Sequence, residues 1–106
     1  MTAWKQLELR IAKALGGHRA GPLGAAVSDI VGVPWAVEVK RCKTSFRVAW
    51  IEQAKAQSRS EKRPWLLVVA RHNDRTPIAV LDFSEFLRLA RAAGEIPNNP
   101  PLAVAE

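Results

Sequence analysis

Trp65-Leu66-Leu67-Val68-Val69-Ala70 is an uninterrupted apolar run of strand length. A strand with one wet face alternates, whereas a run without alternation has no face to give to water and must be covered on both sides. The run therefore predicts a central strand in a sheet sandwiched between layers. The rest of the chain can supply those layers: the 106 residues as a whole are 48% hydrophobic and 25% charged, which is ordinary for a single globular domain and speaks against wholesale disorder.

Helical spacing of Trp4, Leu7, Glu8, Ile11 and Leu15 predicts a first helix from a Thr2 cap to about Leu15, stopped by Gly16-Gly17. Glu8 stands on its apolar face, where a hydrophobe is expected. His18 to Gly21 reads as a short strand, and Gly21-Pro22-Leu23-Gly24 as a loop. Ser28 to Val33 and Trp35 to Cys42 read as an antiparallel hairpin turning at Val33-Pro34, so that paired positions sum to 67 and Asp29 falls opposite Glu38. In the second of these strands Glu38 and Lys40 share a face, opposite Val37 and Val39. A helix opening at Ser45 would carry Phe46, Ala49, Trp50, Gln53 and Ala54 inward, making Gln53 a second polar intruder, with a polar connection over Ser58 to Arg63. After the apolar run come a turn at His72 to Arg75, a strand from Ile78 to Phe83, and a last helix capped by Asp82 or Ser84 and ending near Gly94. The order is αβββαββα, a mixed-sheet α/β domain over residues 1–95 with a Pro/Asn-rich tail at 96–106. A helix between the Glu38 and Leu67 strands makes those two parallel by a right-handed crossover.

Sixteen Lys plus Arg against ten Asp plus Glu give a formal charge of +6. The excess is local: residues 38–63 hold eight basic and three acidic side chains. Lys40, Arg41, Lys43, Arg47, Lys55, Arg59, Lys62 and Arg63 make this the footprint of a surface that meets phosphates, with a merely solvated face as the plain alternative. No apolar run reaches the roughly 18 residues of a membrane span, and the chain opens directly into a helical pattern rather than a secretory signal. A cytoplasmic protein without a membrane partner is the expectation. Cys42 is the single cysteine, which excludes an internal disulfide and a Cys-rich zinc module.

Asp29 and Glu38 on adjacent strands repel each other, and two partly buried carboxylates side by side either raise one pKa or call for a cation. Oxygen ligands without a His or Cys cluster favour Mg²⁺, with Mn²⁺ as substitute. A dication there would lower the pKa of a water and neutralise charge on a phosphodiester in hydrolysis, with Lys40 beside the attacking water. A structural ion-pair cluster of Asp29, Glu38 and Lys40 is the competing reading.

Ser28-Asp29 followed by Glu38-Val39-Lys40, with Glu8 on a preceding helix and Gln53 on a following one, resembles the PD-(D/E)XK nuclease superfamily, whose fold is the restriction-endonuclease-like core. Small size and element order resemble, within it, the Holliday junction resolvases of archaea and their phage-borne relatives, over roughly Trp4 to Leu89. The resemblance implies a metal-dependent, structure-specific endodeoxyribonuclease that cuts four-way DNA junctions symmetrically as a homodimer, a phage-encoded protein acting in a host cell being one origin it allows. It implies metal binding by Asp29, Glu38 and the Val39 carbonyl, with Glu8 through water or a second ion, a catalytic Lys40 and a supporting Gln53. Arg19, Ser28, Arg41, Lys43 and Arg47 are the implied DNA contacts. Two rivals remain: the same core acting on flaps, forks or nicked duplex, and a basic nucleic-acid-binding module without activity.

Overall fold

A computed structural model describes residues 3–20, 28–72 and 75–98. The Thr2 cap, the Gly21 to Gly24 loop, the middle of the His72 to Arg75 turn and the tail from residue 99 lie outside them. Eight elements follow in the expected order: α1 (Ala3–Leu15), β1 (His18–Arg19), β2 (Ile30–Val31), β3 (Ala36–Cys42), α2 (Val48–Glu61), β4 (Trp65–Arg71), β5 (Ile78–Val80) and α3 (Phe83–Ala92). They form one α/β domain around a mixed five-stranded sheet of order β1-β2-β3-β4-β5. Only the β3–β4 pair is parallel, and α2 is the crossover between them.

The period-two alternation of β3 sorts the core into two layers. Val37 and Val39, with Leu66, Val68 and Ala70 of β4, pack against Leu7, Ile11 and Ala12 of α1. On the other face, Cys42, Trp65, Leu67 and Val69 pack against Ala54 of α2. Both faces of β4 are thus covered, as its lack of alternation required, and every residue from Trp65 to Ala70 is buried. Glu38 and Lys40 fall on the α2 side of β3. Full burial of a side chain such as Leu67 contributes about 1.5–3 kcal/mol.

Two glycines let the first layer close. At Gly17 a Cβ would stand 2.5 Å from the Val31 carbonyl oxygen and 2.7 Å from Val33 Cγ1, so only glycine allows the α1 exit to lie on the hairpin. Gly32, with φ +80°, turns β2 toward β3 in a conformation that L side chains rarely adopt. At the far end Trp35 Nε1 donates to Glu85 Oε2 at 2.8 Å, tying α3 to the start of β3, while Phe83 and Phe86 of α3 stack on each other in solvent.

The structure shortens some expected elements. The expected Ser28 to Val33 strand has only Ile30–Val31 in the sheet, and α2 starts at Val48 rather than Ser45, its cap position held by Arg47 with no side-chain cap bond. At its other end α2 continues to Glu61, through part of what reads as a polar connection. No helix among the described residues is long and apolar enough to cross a membrane.

Candidate active site

Ile30 pairs with Val37, a register that sums to 67 and sets Asp29 against Glu38 as expected. Asp29 is held by its backbone on both sides: its N–H donates to the Val37 carbonyl at 2.9 Å and its carbonyl accepts from the Ala20 N–H at 2.9 Å. Its Oδ2 accepts from the Val39 N–H at 2.7 Å. Because β2 is so short, the Asp29 carboxylate takes the place of a sheet acceptor for β3, which fixes the side chain beside Glu38 before any ligand arrives.

The two carboxylates share a hydrogen bond that raises the pKa of Glu38 and lowers that of Asp29. Burial pushes Glu38 up to about 7, with the Asp29 charge adding to it and Lys40 opposing. Burial also raises Asp29, and the Glu8 charge reinforces this, while the Val39 N–H and Lys40 pull the other way. Glu38 is buried and Lys40 half-buried. A buried and a half-buried acid in contact, one of them holding its proton to near neutrality, make a site that favours a cation, and the oxygen donors of Asp29 and Glu38 are of the kind a hard dication takes.

Glu8 is buried, as its place on the apolar face of α1 predicts, but it is not free: its Oε1 accepts from Arg19 Nε of β1 at 2.6 Å. Glu8 and Arg19 answer each other, and in this arrangement the arginine's Nε is engaged by a carboxylate. Among the described residues no three His, Cys, Asp or Glu side chains gather closely enough to hold an ion together. The acids instead fall into the Asp29–Glu38 pair and two separately bonded groups, Glu8 and Glu61.

Two expected positions move. Gln53 is exposed; with α2 beginning three residues late, its fully buried position is Ala54. Ser28 is fully buried rather than at a DNA-facing surface. Its N–H and Oγ–H both donate to Glu61 Oε2, at 2.8 and 2.6 Å. Gln57 Nε2 donates to the same oxygen, Arg63 pairs with Glu61 Oε1, and the Arg63 Nη1 donates to the Val33 carbonyl at 2.7 Å. Burial alone would raise the Glu61 pKa, but donors from Ser28, Arg63 and Gln57 together bring it down to about 2. This knot ties the C-terminal turn of α2 to the residue before Asp29 and to the β2–β3 turn. Its signal was present in the spacing Trp50, Ala54, Gln57, Glu61, which continues the inner stripe of α2 at intervals of four, three and four.

Arg41, Lys43 and Arg47 are exposed and, with Ser45 and Trp50, line an open cleft of about 300 Å³ just beyond Lys40 at the end of β3. Compared with family models, curated proteins and solved structures, the chain matches none.

Proposed function

We propose that the chain is a metal-dependent, structure-specific DNA endonuclease with a PD-(D/E)XK core, a Holliday junction resolvase working as a homodimer. The observation that carries this reading is the contact of Asp29 with Glu38 on neighbouring strands, with Lys40 two residues on and on the same strand face. A Mg²⁺ or Mn²⁺ ion held by these two carboxylates would supply charge neutralisation at the phosphate and acidity to a water. Asp29 and Glu38 would hold the ion, and Lys40 would orient the attacking water or stabilise charge developing on the phosphate oxygens. Glu8 would stay with Arg19 and shape the field at Asp29. Gln57, Glu61 and Arg63 would keep the Asp29 segment in place. Basic residues 40–63 support a polyanionic substrate, and a two-fold DNA junction suits a two-fold protein.

The test is a nicking assay on a panel of four-way junction, flap, fork, nicked and intact duplex, with Mg²⁺ or Mn²⁺ titrated. Paired, symmetric incisions in the four-way substrate support the resolvase. Cutting confined to flaps, forks or nicks keeps the nuclease and removes the junction. Binding without cutting at any metal concentration leaves a passive nucleic-acid-binding module.

A further inference from the structure

Three arginines elsewhere in the molecule have carboxylate partners: Arg19 pairs with Glu8, Arg63 with Glu61 and Arg88 with Glu85. Around the cleft at the end of β3 the cations do not. Arg41, Lys43 and Arg47 converge on it without a carboxylate partner among the described residues. Arg41 at the end of β3, Lys43 just after it and Arg47 at the cap of α2 put three cations around one cleft, and the first turn of α2 adds no acidic side chain among them. The cleft therefore carries a positive field that attracts anions.

An aromatic wall accompanies the charge. Trp50 lines the cleft, and Phe46 meets it edge to face, with ring centroids 5.5 Å apart and planes at 76°. Phe46 stands beside the cleft rather than in its lining and is 44% exposed, so Trp50 is partly covered while the Phe46 ring remains open to solvent next to the cations. Cations that track a backbone beside an exposed aromatic ring are the means by which proteins hold single strands, because an unpaired base can stack on the ring whereas a base inside a duplex is already stacked. The cleft's volume of about 300 Å³ is at the small end for ligand pockets, which suits one nucleotide unit rather than a groove of paired DNA.

We propose that this cleft seats an unpaired nucleotide of a DNA single strand, its phosphate on Arg41, Lys43 and Arg47 and its base on Phe46. The proposal deepens the nuclease reading and rests on it for the identity of the polymer; the binding itself requires no cleavage. Lys40 and Cys42 are two residue steps apart on β3, about 7 Å at strand spacing, so the seat lies within one or two nucleotide steps of the proposed cutting point. A branched substrate with strands splayed at its centre offers such a nucleotide, and intact duplex does not.

The test is fluorescence anisotropy with labelled oligothymidylate of about 12 nucleotides and a duplex of equal length, in EDTA so that nothing is cut. Phe46→Ala and Phe46→Leu should each weaken single-strand binding at least about fivefold while changing duplex binding much less. Lys43→Ala and Arg47→Ala should weaken both and lower the salt slope by about one each. Phe83→Ala, which removes a still more exposed ring on α3, should change neither. Thermal melts of the same variants check that the fold is retained, and Phe46→Leu keeps an apolar contact with Trp50 should the alanine variant fail to fold. No binding of the single strand by the wild-type protein, or a Phe46→Leu variant that binds it unchanged, overturns the proposal. A protein that never cuts but shows the Phe46 effect removes the nuclease reading alone; one that cuts without that effect removes the cleft alone.

Discussion

Two groups of carboxylates flank the same turn of backbone at Ser28-Asp29 and have opposite electrostatics. Glu61 is surrounded by donors from Ser28, Gln57 and Arg63 and sits at a pKa of about 2, ionised at all ordinary pH. Glu38 is pushed up to about 7 by burial and then by the acid it faces. Glu61 has the surroundings of a carboxylate that holds a fold together. The Asp29–Glu38 pair is instead incompletely compensated by the protein, because the single nearby ammonium of Lys40 opposes the rise without cancelling it. A charge satisfied from within is structural, and a charge left in deficit points to something from outside.

The largest expected effect comes from neutralising the pair. Asp29→Asn or Glu38→Gln should abolish metal-dependent cutting of junction DNA while leaving DNA affinity equal or higher, since a negative charge near phosphate is lost. Gel assays of cutting and binding on the same samples read both, and a variant that still cuts with Mg²⁺ would remove that residue from the site.

Glu61→Ala should do the reverse, acting on stability first. It strips the fully buried Ser28 of its acceptor and Arg63 of its partner, for a loss of about 2 to 3 kcal/mol, or on the order of 10 °C in Tm. Glu38→Gln should cost nothing comparable in a thermal melt. Equal destabilisation by both would erase the distinction between the groups.

Their pH signatures differ in sign. Glu38 has a folded pKa of about 7 against an ordinary 4.5, so the folded state binds the extra proton in that window. Its contribution to stability is present below 4.5 and lost as pH rises to about 7. For Glu61 the contribution is present above 4.5 and lost as pH falls toward about 2. Denaturant midpoints across this range, without divalent cations, should therefore fall away on both sides of about pH 5. Glu38→Gln should flatten the alkaline limb alone, and Glu61→Gln the acid limb alone.

Much of this architecture was legible in the residues and some was not, for physical reasons. The Trp65 to Ala70 run had to be central because it offers no polar face, and the strict alternation of β3 fixed which residues join Glu38. The hairpin register held because a one-residue slip would have turned Val37 and Val39 out of the core. Gln53 lies outside the core because the spacing of Phe46 and Ala49, which suggests an inner stripe, does not mark the buried face of α2. Phe46 precedes the helix and both are exposed, whereas Trp50 and Ala54 set the true stripe. Ser28 was assigned to the surface by analogy, and nothing local reveals that a glutamate 33 residues later in the chain claims its hydroxyl. Long-range polar partners follow from packing and leave little trace in a short window.

The smallest effects belong to the basic cleft, where Arg41→Ala should lower the salt slope of DNA binding by about one without altering the melting temperature. An unchanged slope would place Arg41 outside the interface.

The central claim is that Asp29 and Glu38 together grip a hard dication, and calorimetric titration with Mn²⁺ at about pH 6.5 in two buffers of different ionisation enthalpy tests it most directly. Saturable binding that expels a proton from the pair, with both binding and proton release lost in Asp29→Asn and in Glu38→Gln, is the predicted result. Absence of saturable binding, or binding that survives both substitutions, would contradict it.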